Sequence, residues 1–106
     1  MPAKIQLFVH DIATRLRLKE SWTAQGVVVL APTSPERPDC AVVDLARRDA
    51  LADIARLRTA HPELTIVACA AGFEEAAVIA AKAAGASDFA AHGFVERRVA
   101  RLIKLV

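Results

Sequence analysis

The chain has 106 residues, the length of one ordinary domain, and it is long enough to bury a core without disulfide bonds. It is 55% hydrophobic and 25% charged, which excludes a disordered tail or a low-complexity linker. The net charge of +2 is too small to indicate nucleic-acid binding. No signal peptide is recognisable, and the apolar runs are far shorter than the ~20 residues of a membrane-spanning helix. We therefore expect one cytoplasmic domain, residues 1–106.

Short β-branched runs alternate with amphipathic segments in the first part of the chain. The pattern predicts a strand at residues 5–9, a helix at 12–25 and a strand at 27–30. Three prolines in residues 31–38 predict a loop with at most one helical turn. The apolar positions of the first helix, which we expect to face the core, are Ile12, Leu16, Leu18 and Trp22.

The same alternation continues to the end of the chain. Strands are predicted at 40–45, 64–70 and 88–91, and helices at 49–59, 73–84 and 93–105. Cys40 and Cys69 lie in two of these strands and are interpreted as reduced, buried thiols, and not as a disulfide framework or a metal site. Alternating strands and helices imply parallel pairing. Five apolar strands covered on both faces predict a flavodoxin-like α/β domain with the strand order 2-1-3-4-5.

Charged residues follow several strands at the edge where such sheets bind ligands. Asp11 and Asp44 follow the first and third strands, so they are expected to meet at one crevice. Two carboxylates suit Mg²⁺, and a carboxylate there can also accept a phosphoryl group. With His10 and His92 they make a second candidate set, suited to Zn²⁺. The simpler interpretation is that both aspartates only cap the segments that follow them.

Four stretches of the chain carry the pattern of a known family. PDCAVVDL at residues 38–45 matches a phosphoacceptor strand that ends at Asp44, and HPELTIV at 61–67 matches the entry to a fourth strand. AAGASDF at 83–89 matches a turn into a fifth strand, and Gly93-Phe94 opens a basic helix. The chain thus resembles, over almost its whole length, the receiver (CheY-like) domain of response regulators. The resemblance implies that fold and a role in a bacterial two-component system.

Several positions depart from the pattern of the family. The two acidic residues that end the first strand of a receiver are His10 and Asp11 here. The Thr or Ser that ends the fourth strand is Ala70, and the Lys that ends the fifth is His92. The aromatic switch position is kept as Phe89, and the second helix is nearly absent.

These departures argue against the standard phosphorylation switch. Ala70 cannot hydrogen-bond a phosphoryl group, and His92 is not a permanent cation. His10 removes one carboxylate, which lowers the affinity for a metal. The prediction is a pseudo-receiver that acts by protein–protein contact, is not an enzyme and needs no cofactor. Its degenerate switch positions are His10, Ala70, Phe89 and His92.

Two alternative functions stay open. The first is a working phosphoacceptor, with Asp44 as the acceptor and Mg²⁺ bound by Asp11 and Asp44. The second is a sensor of a phosphate-bearing ligand, such as a second-messenger nucleotide, bound by basic residues that include Arg47 and Arg48.

Charged residues near the end of the chain predict a partner surface. In receivers, the face formed by the fourth helix, fifth strand and fifth helix is the usual dimer and partner surface. Here it carries acidic residues on one helix and basic residues on the other, which suits a second copy related by a two-fold axis, or a kinase or regulator. The simpler interpretation is a solvated helix face. The residues are Glu74, Glu75, Arg97, Arg98 and Arg101.

Overall fold

A computed structural model describes residues 2–105 of the chain as one five-stranded parallel sheet with helices on both faces. The strand order is β2-β1-β3-β4-β5, which confirms the predicted flavodoxin-like topology. The strands are Lys4–Phe8 (β1), Val28–Leu30 (β2), Cys40–Asp44 (β3), Thr65–Ala70 (β4) and Asp88–Ala91 (β5). The helices are Ile12–Ala24 (α1), Ala50–Ala60 (α2), Glu75–Ala84 (α3) and Val95–Leu102 (α4). None of the helices described is long and apolar enough to cross a lipid bilayer.

The two faces of the sheet bury separate sets of side chains, because successive residues of a strand point to opposite sides. On one face, α1 and α4 cover Ile5, Val42 and Val67. On the other face, α2 and α3 cover Val43 and Ile66. Helices cover both faces of the sheet at β3 and β4, so these central strands are buried along most of their length.

The buried face of α1 differs from the predicted one. Thr14, Leu18 and Trp22 are buried, whereas Ile12 and Leu16 are 62% and 54% exposed. Residues four apart lie on one side of a helix, and a shift of two residues, at about 100° per residue, leads to the opposite side. The prediction is therefore wrong for Ile12 and Leu16, which lie on the side facing away from the sheet.

The last helix is shorter than predicted. The sequence predicts one helix over 93–105, but a 3₁₀ turn at His92–Phe94 precedes α4, which ends at Leu102. Lys104 follows with a φ of 59°, in the left-handed region that terminates helices. Val95 and Val99 of α4 are buried, whereas Phe94, in the preceding turn, is 57% exposed.

The loop between β2 and β3 takes the place of a helix, as predicted. The side-chain amide of Gln6 donates hydrogen bonds to the carbonyl oxygens of Ala31 (3.0 Å) and Pro32 (3.2 Å). The ammonium group of Lys4 lies 3.0 Å from the carboxylate of Glu36. Polar side chains of β1 therefore position the loop that replaces the helix.

The end of α3 is joined to α2 by a close approach at Gly85. Gly85 has a φ of +126°, and a Cβ placed there would lie 2.8 Å from the Cβ of Arg58. The guanidinium of Arg58 donates to the Gly85 carbonyl from Nε (3.0 Å) and Nη2 (2.8 Å). Both the backbone conformation and the available space at this position require glycine.

Candidate functional site

Asp44, the last residue of β3, is the fully buried acidic residue of the site. Its Oδ2 accepts backbone N–H hydrogen bonds from His10 (3.0 Å) and Asp11 (3.3 Å), and its Oδ1 accepts one from Ala46 (3.0 Å). Three such bonds compensate a buried carboxylate for its lost hydration. Asp44 thereby ties the loop after β1 to the loop after β3.

The ring of His92 lies against this carboxylate. Its Nε2 is 3.4 Å from Asp44 Oδ1, at an alignment that does not form a hydrogen bond. The Nε2 atom is buried and has no hydrogen-bond partner among residues 2–105. The backbone oxygen of His92 accepts a hydrogen bond from Arg17 of α1 (2.8 Å), which fixes the position of the residue. A buried ring nitrogen without a partner is uncommon and requires an explanation.

Cys69 completes the surroundings of Asp44. The strand register pairs Asp44 of β3 with Cys69 of β4, so both side chains lie on the same face of the sheet. The sulfur of Cys69, a carboxylate oxygen of Asp44 and a ring nitrogen of His92 all lie within 4.8 Å of one another. Burial, with a contribution from the Asp44 charge, raises the pKa of the Cys69 thiol far above its usual value. The group is therefore a protonated thiol near neutral pH.

The carboxylate of Asp11 caps α1 and does not belong to this cluster. The side chain caps α1, accepting hydrogen bonds from the N–H (2.9 Å) and hydroxyl (2.5 Å) of Thr14. These bonds, the hydroxyl first, lower the pKa of Asp11. For Asp11 the capping interpretation of the sequence is confirmed, and its contribution to the Asp44 site is a backbone N–H. The side chain of His10 is exposed and does not belong to the cluster either.

The other two predicted switch positions lie along β4 and β5. Ala70 ends β4 and pairs with Ala91, so the strand end offers a methyl group where the family has a hydroxyl. Phe89 is half-buried and makes an edge-on contact with Phe73, with ring centroids 5.9 Å apart. Phe73 itself is 70% exposed, so this aromatic pair reaches the surface.

The predicted partner surface lies along the β5 edge of the sheet. Since the second helix of a receiver is missing, α3 and α4 here occupy the places of its fourth and fifth helices. Arg98 is held within the domain, because its guanidinium bonds to Asp88 (3.0 Å) and to the carbonyl of Phe89 (3.0 Å). The other predicted partner residues, Glu74, Glu75, Arg97 and Arg101, are exposed.

The basic pair proposed for a phosphate-bearing ligand is only partly exposed. Arg47 pairs with Asp53 (3.3 Å), and its guanidinium lies 5.4 Å from the ring centroid of Phe8. Arg48 is exposed. Arg47 is thus engaged inside the domain, and nucleotide sensing stays an untested prediction.

Solved structures of response regulators superpose closely on the chain. One from Thermotoga maritima has a TM-score of 0.81 at 19% identity, covering 98% of this chain and 99% of that one. An orphan response regulator of H. pylori has a TM-score of 0.74 at 16% identity, covering 94% and 96%. One from Burkholderia pseudomallei, with a phosphorylated aspartic acid, calcium ion and citrate, has a TM-score of 0.81 at 19% identity, covering 92% and 65%.

The sequence comparisons add nothing to this structural likeness: no protein-family model matches the sequence, and no curated protein matches it. At identities below one fifth, structural similarity establishes the fold and leaves the function to be argued from the site. The chain has the fold of response-regulator receiver domains, as the sequence resemblance implies.

Proposed function

We propose that this protein is an atypical receiver domain of a bacterial two-component system that acts through protein–protein contacts and not through phosphorylation of Asp44. The observation that carries the proposal is the burial and hydrogen bonding of the Asp44 carboxylate. It has no exposed surface, and both of its oxygens accept backbone N–H hydrogen bonds. A carboxylate used in this way is a structural tie between two loops.

The groups around Asp44 support the same conclusion. Phosphoryl transfer needs an accessible nucleophile, a metal ion and fixed cations or donors around the transferred group. Here the strand end beside Asp44 carries the methyl group of Ala70, and the nearest ring is the titratable imidazole of His92. The carboxylate of Asp11, which a metal ion would need, caps α1.

The proposal predicts that the protein does not accept a phosphoryl group. After incubation with acetyl phosphate and Mg²⁺, we expect the intact mass to be unchanged, because the acceptor oxygen is not accessible to the donor. A conventional receiver treated in parallel shows that the reagents are active. A gain of about 80 Da that disappears in Asp44→Asn would overturn the proposal, and Asp44 would then be a working phosphoacceptor.

The contact surface that we propose is the β5 edge with its two flanking helices. Its acidic end is at the start of α3, at Glu74 and Glu75, and its basic side is on α4, at Arg97 and Arg101. Arg97 and Arg101 are four residues apart and so lie on one side of α4. The exposed ring of Phe73 lies next to the acidic end in the chain and adds apolar surface. Opposite charges on the two helices suit a symmetric contact between two copies of the chain.

Charge reversal on α4 is expected to weaken self-association. We predict a salt-sensitive monomer–dimer equilibrium for the unmodified chain in sedimentation equilibrium, shifted at least about 10-fold toward monomer in Arg97→Glu/Arg101→Glu, because removing close charge pairs costs 1.4 kcal/mol or more. The matched control is Arg15→Glu/Lys19→Glu, which makes the same change at two exposed α1 positions four residues apart. Equal association of both variants, or a monomer at every concentration of the unmodified chain, contradicts a symmetric contact at this surface.

A further inference from the structure

We propose that Asp44, Cys69 and His92 form a binding site for a divalent metal ion of borderline softness, of the Zn²⁺ type. This inference goes beyond the proposed function, since it assigns a ligand to the cluster, and it does not depend on partner binding. Each residue supplies one ligand atom: a carboxylate oxygen, a sulfur and an imidazole nitrogen. The three come from the ends of β3 and β4 and from the 3₁₀ turn that precedes α4.

The distances suit a single small ion. Zn²⁺ binds oxygen and nitrogen at about 2.0–2.2 Å and sulfur at about 2.3 Å, so two ligand atoms of one tetrahedral ion lie about 3.3–3.6 Å apart. Asp44 Oδ1 and His92 Nε2 are 3.4 Å apart, and all three ligand atoms lie within 4.8 Å of one another. With 4.8 Å as the upper limit of the sulfur distances, the Cys69 sulfur needs to approach by no more than about 1.2 Å to complete the site.

The unpartnered nitrogen of His92 points to a ligand. Nε2 is buried, lies beside a carboxylate oxygen and has no hydrogen-bond partner in the described part of the chain. A neutral imidazole in this position offers its nitrogen lone pair to a cation. The backbone oxygen of His92 accepts a hydrogen bond from Arg17 (2.8 Å), which anchors the backbone from which the ring extends. A metal ion would satisfy this ring nitrogen, which is one of two buried side-chain nitrogens without a hydrogen-bond partner among residues 2–105; the other is Nε of Arg47.

The donor set selects the class of metal. Mg²⁺ and Ca²⁺ require several oxygen ligands, and this cluster offers one carboxylate. A set of sulfur, nitrogen and oxygen donors suits Zn²⁺ and its tetrahedral substitute Co²⁺. On binding, the Cys69 thiol releases its proton to solvent, and the thiolate with the Asp44 carboxylate balances the two positive charges of the ion. The buried site is then neutral.

Cobalt substitution tests the proposal directly. The full chain is reduced, freed of metal by chelation and titrated with Co²⁺. We expect one ion per chain, thiolate-to-cobalt charge-transfer absorption in the near ultraviolet, and the visible bands of tetrahedral Co²⁺. We also expect Zn²⁺ to displace the cobalt, and excess Mg²⁺ to leave it bound. Absence of the charge-transfer absorption, or displacement by Mg²⁺, would overturn the proposal.

Two matched pairs of variants assign the ligands. Cys69→Ala is expected to abolish the charge-transfer absorption, whereas Cys40→Ala, at the other fully buried strand thiol, leaves it unchanged. His92→Asn is expected to weaken Zn²⁺ binding by at least about 10–100-fold, whereas His10→Asn, at the exposed neighbouring histidine, leaves it unchanged. Because the His92 side chain is partly exposed, its variant tests the site even if Cys69→Ala fails to fold. Absorption that survives Cys69→Ala, or binding unaffected by His92→Asn, overturns the assignment.

The two proposals fail separately. A missing cobalt signal in a chain that gains no phosphoryl group overturns the metal site alone. A phosphoryl gain at Asp44 in a chain that gives the cobalt signal when no phosphodonor is present overturns the proposed function alone.

Discussion

Replacing Asp44 by alanine is expected to lower the free energy of unfolding by about 3 kcal/mol, because backbone donors in a buried position lose their acceptor. The N–H groups of His10, Asp11 and Ala46 all point at this carboxylate. The free energy of unfolding of Asp44→Asn is expected to lie between those of the unmodified chain and Asp44→Ala. An amide still offers one oxygen as an acceptor, but it turns an NH₂ group toward one of the same backbone donors. Denaturant unfolding of the three proteins, with circular dichroism as the probe, measures these differences.

A matched aspartate separates the effect of this site from that of losing an acidic residue. Asp39 also accepts a backbone N–H, from Lys4 (2.8 Å), but it is exposed, so Asp39→Ala is expected to cost about 1 kcal/mol or less. The opposite result at Asp44 would be equally informative. An increase in stability on replacing Asp44 is typical of a residue retained for activity at the expense of the fold, and it would contradict the structural role assigned here.

Replacing Leu18 by alanine is expected to lower the free energy of unfolding by about 2–5 kcal/mol, the range for a leucine removed from a packed core. Leu18 has no exposed surface and contacts the core between α1, α4 and the sheet. Leu16→Ala, two residues earlier on the same helix, removes the same atoms from a side chain that is 54% exposed. That change is expected to cost less than about 0.5 kcal/mol.

The comparison of the two leucines reports which side of α1 faces the sheet. Both variants replace leucine by alanine in the same helix, so the change in helix propensity is the same in each. The difference between their losses of stability therefore measures burial. Thermal and denaturant unfolding of the pair against the unmodified chain gives the two values. Similar losses at both positions would show that Leu16 is also covered in solution, and that a partner or a second copy lies on α1.

The order of the elements was predictable from sequence, whereas the buried side of each helix was less so. Runs such as the one that forms Cys40–Asp44 are continuous and apolar because the strand is buried on both faces, and this signal does not depend on distant contacts. The side of α1 that faces the sheet depends on how the helix lies across it. Thr14 is buried in place of the more apolar Ile12, so hydrophobicity alone selects the wrong side.

The position of the candidate site in the fold was predictable from sequence, but the residues that form it were less so. Asp44 and His92 meet as predicted at the C-terminal edge of the sheet. Asp11 follows a local rule, since a cap bonded to Thr14 three residues later competes with any distant role for its carboxylate. Cys69 is interpreted from the sequence as a buried thiol and not as a metal ligand, because nothing local in the chain links it to Asp44. Only the register between β3 and β4 places the thiol next to Asp44.

The polar side chains of β1 show that the missing helix is compensated by the sheet itself. Ile5 and Leu7 face the α1 side, while Lys4 and Gln6 alternate with them on the side where a helix would lie. If the helix had been lost without other changes, β1 would expose apolar side chains on this face, and the protein would tend to aggregate. We therefore expect a helix grafted between β2 and β3 to pack against the sheet only if Lys4 and Gln6 are replaced by apolar residues as well, because both polar side chains now hold the loop.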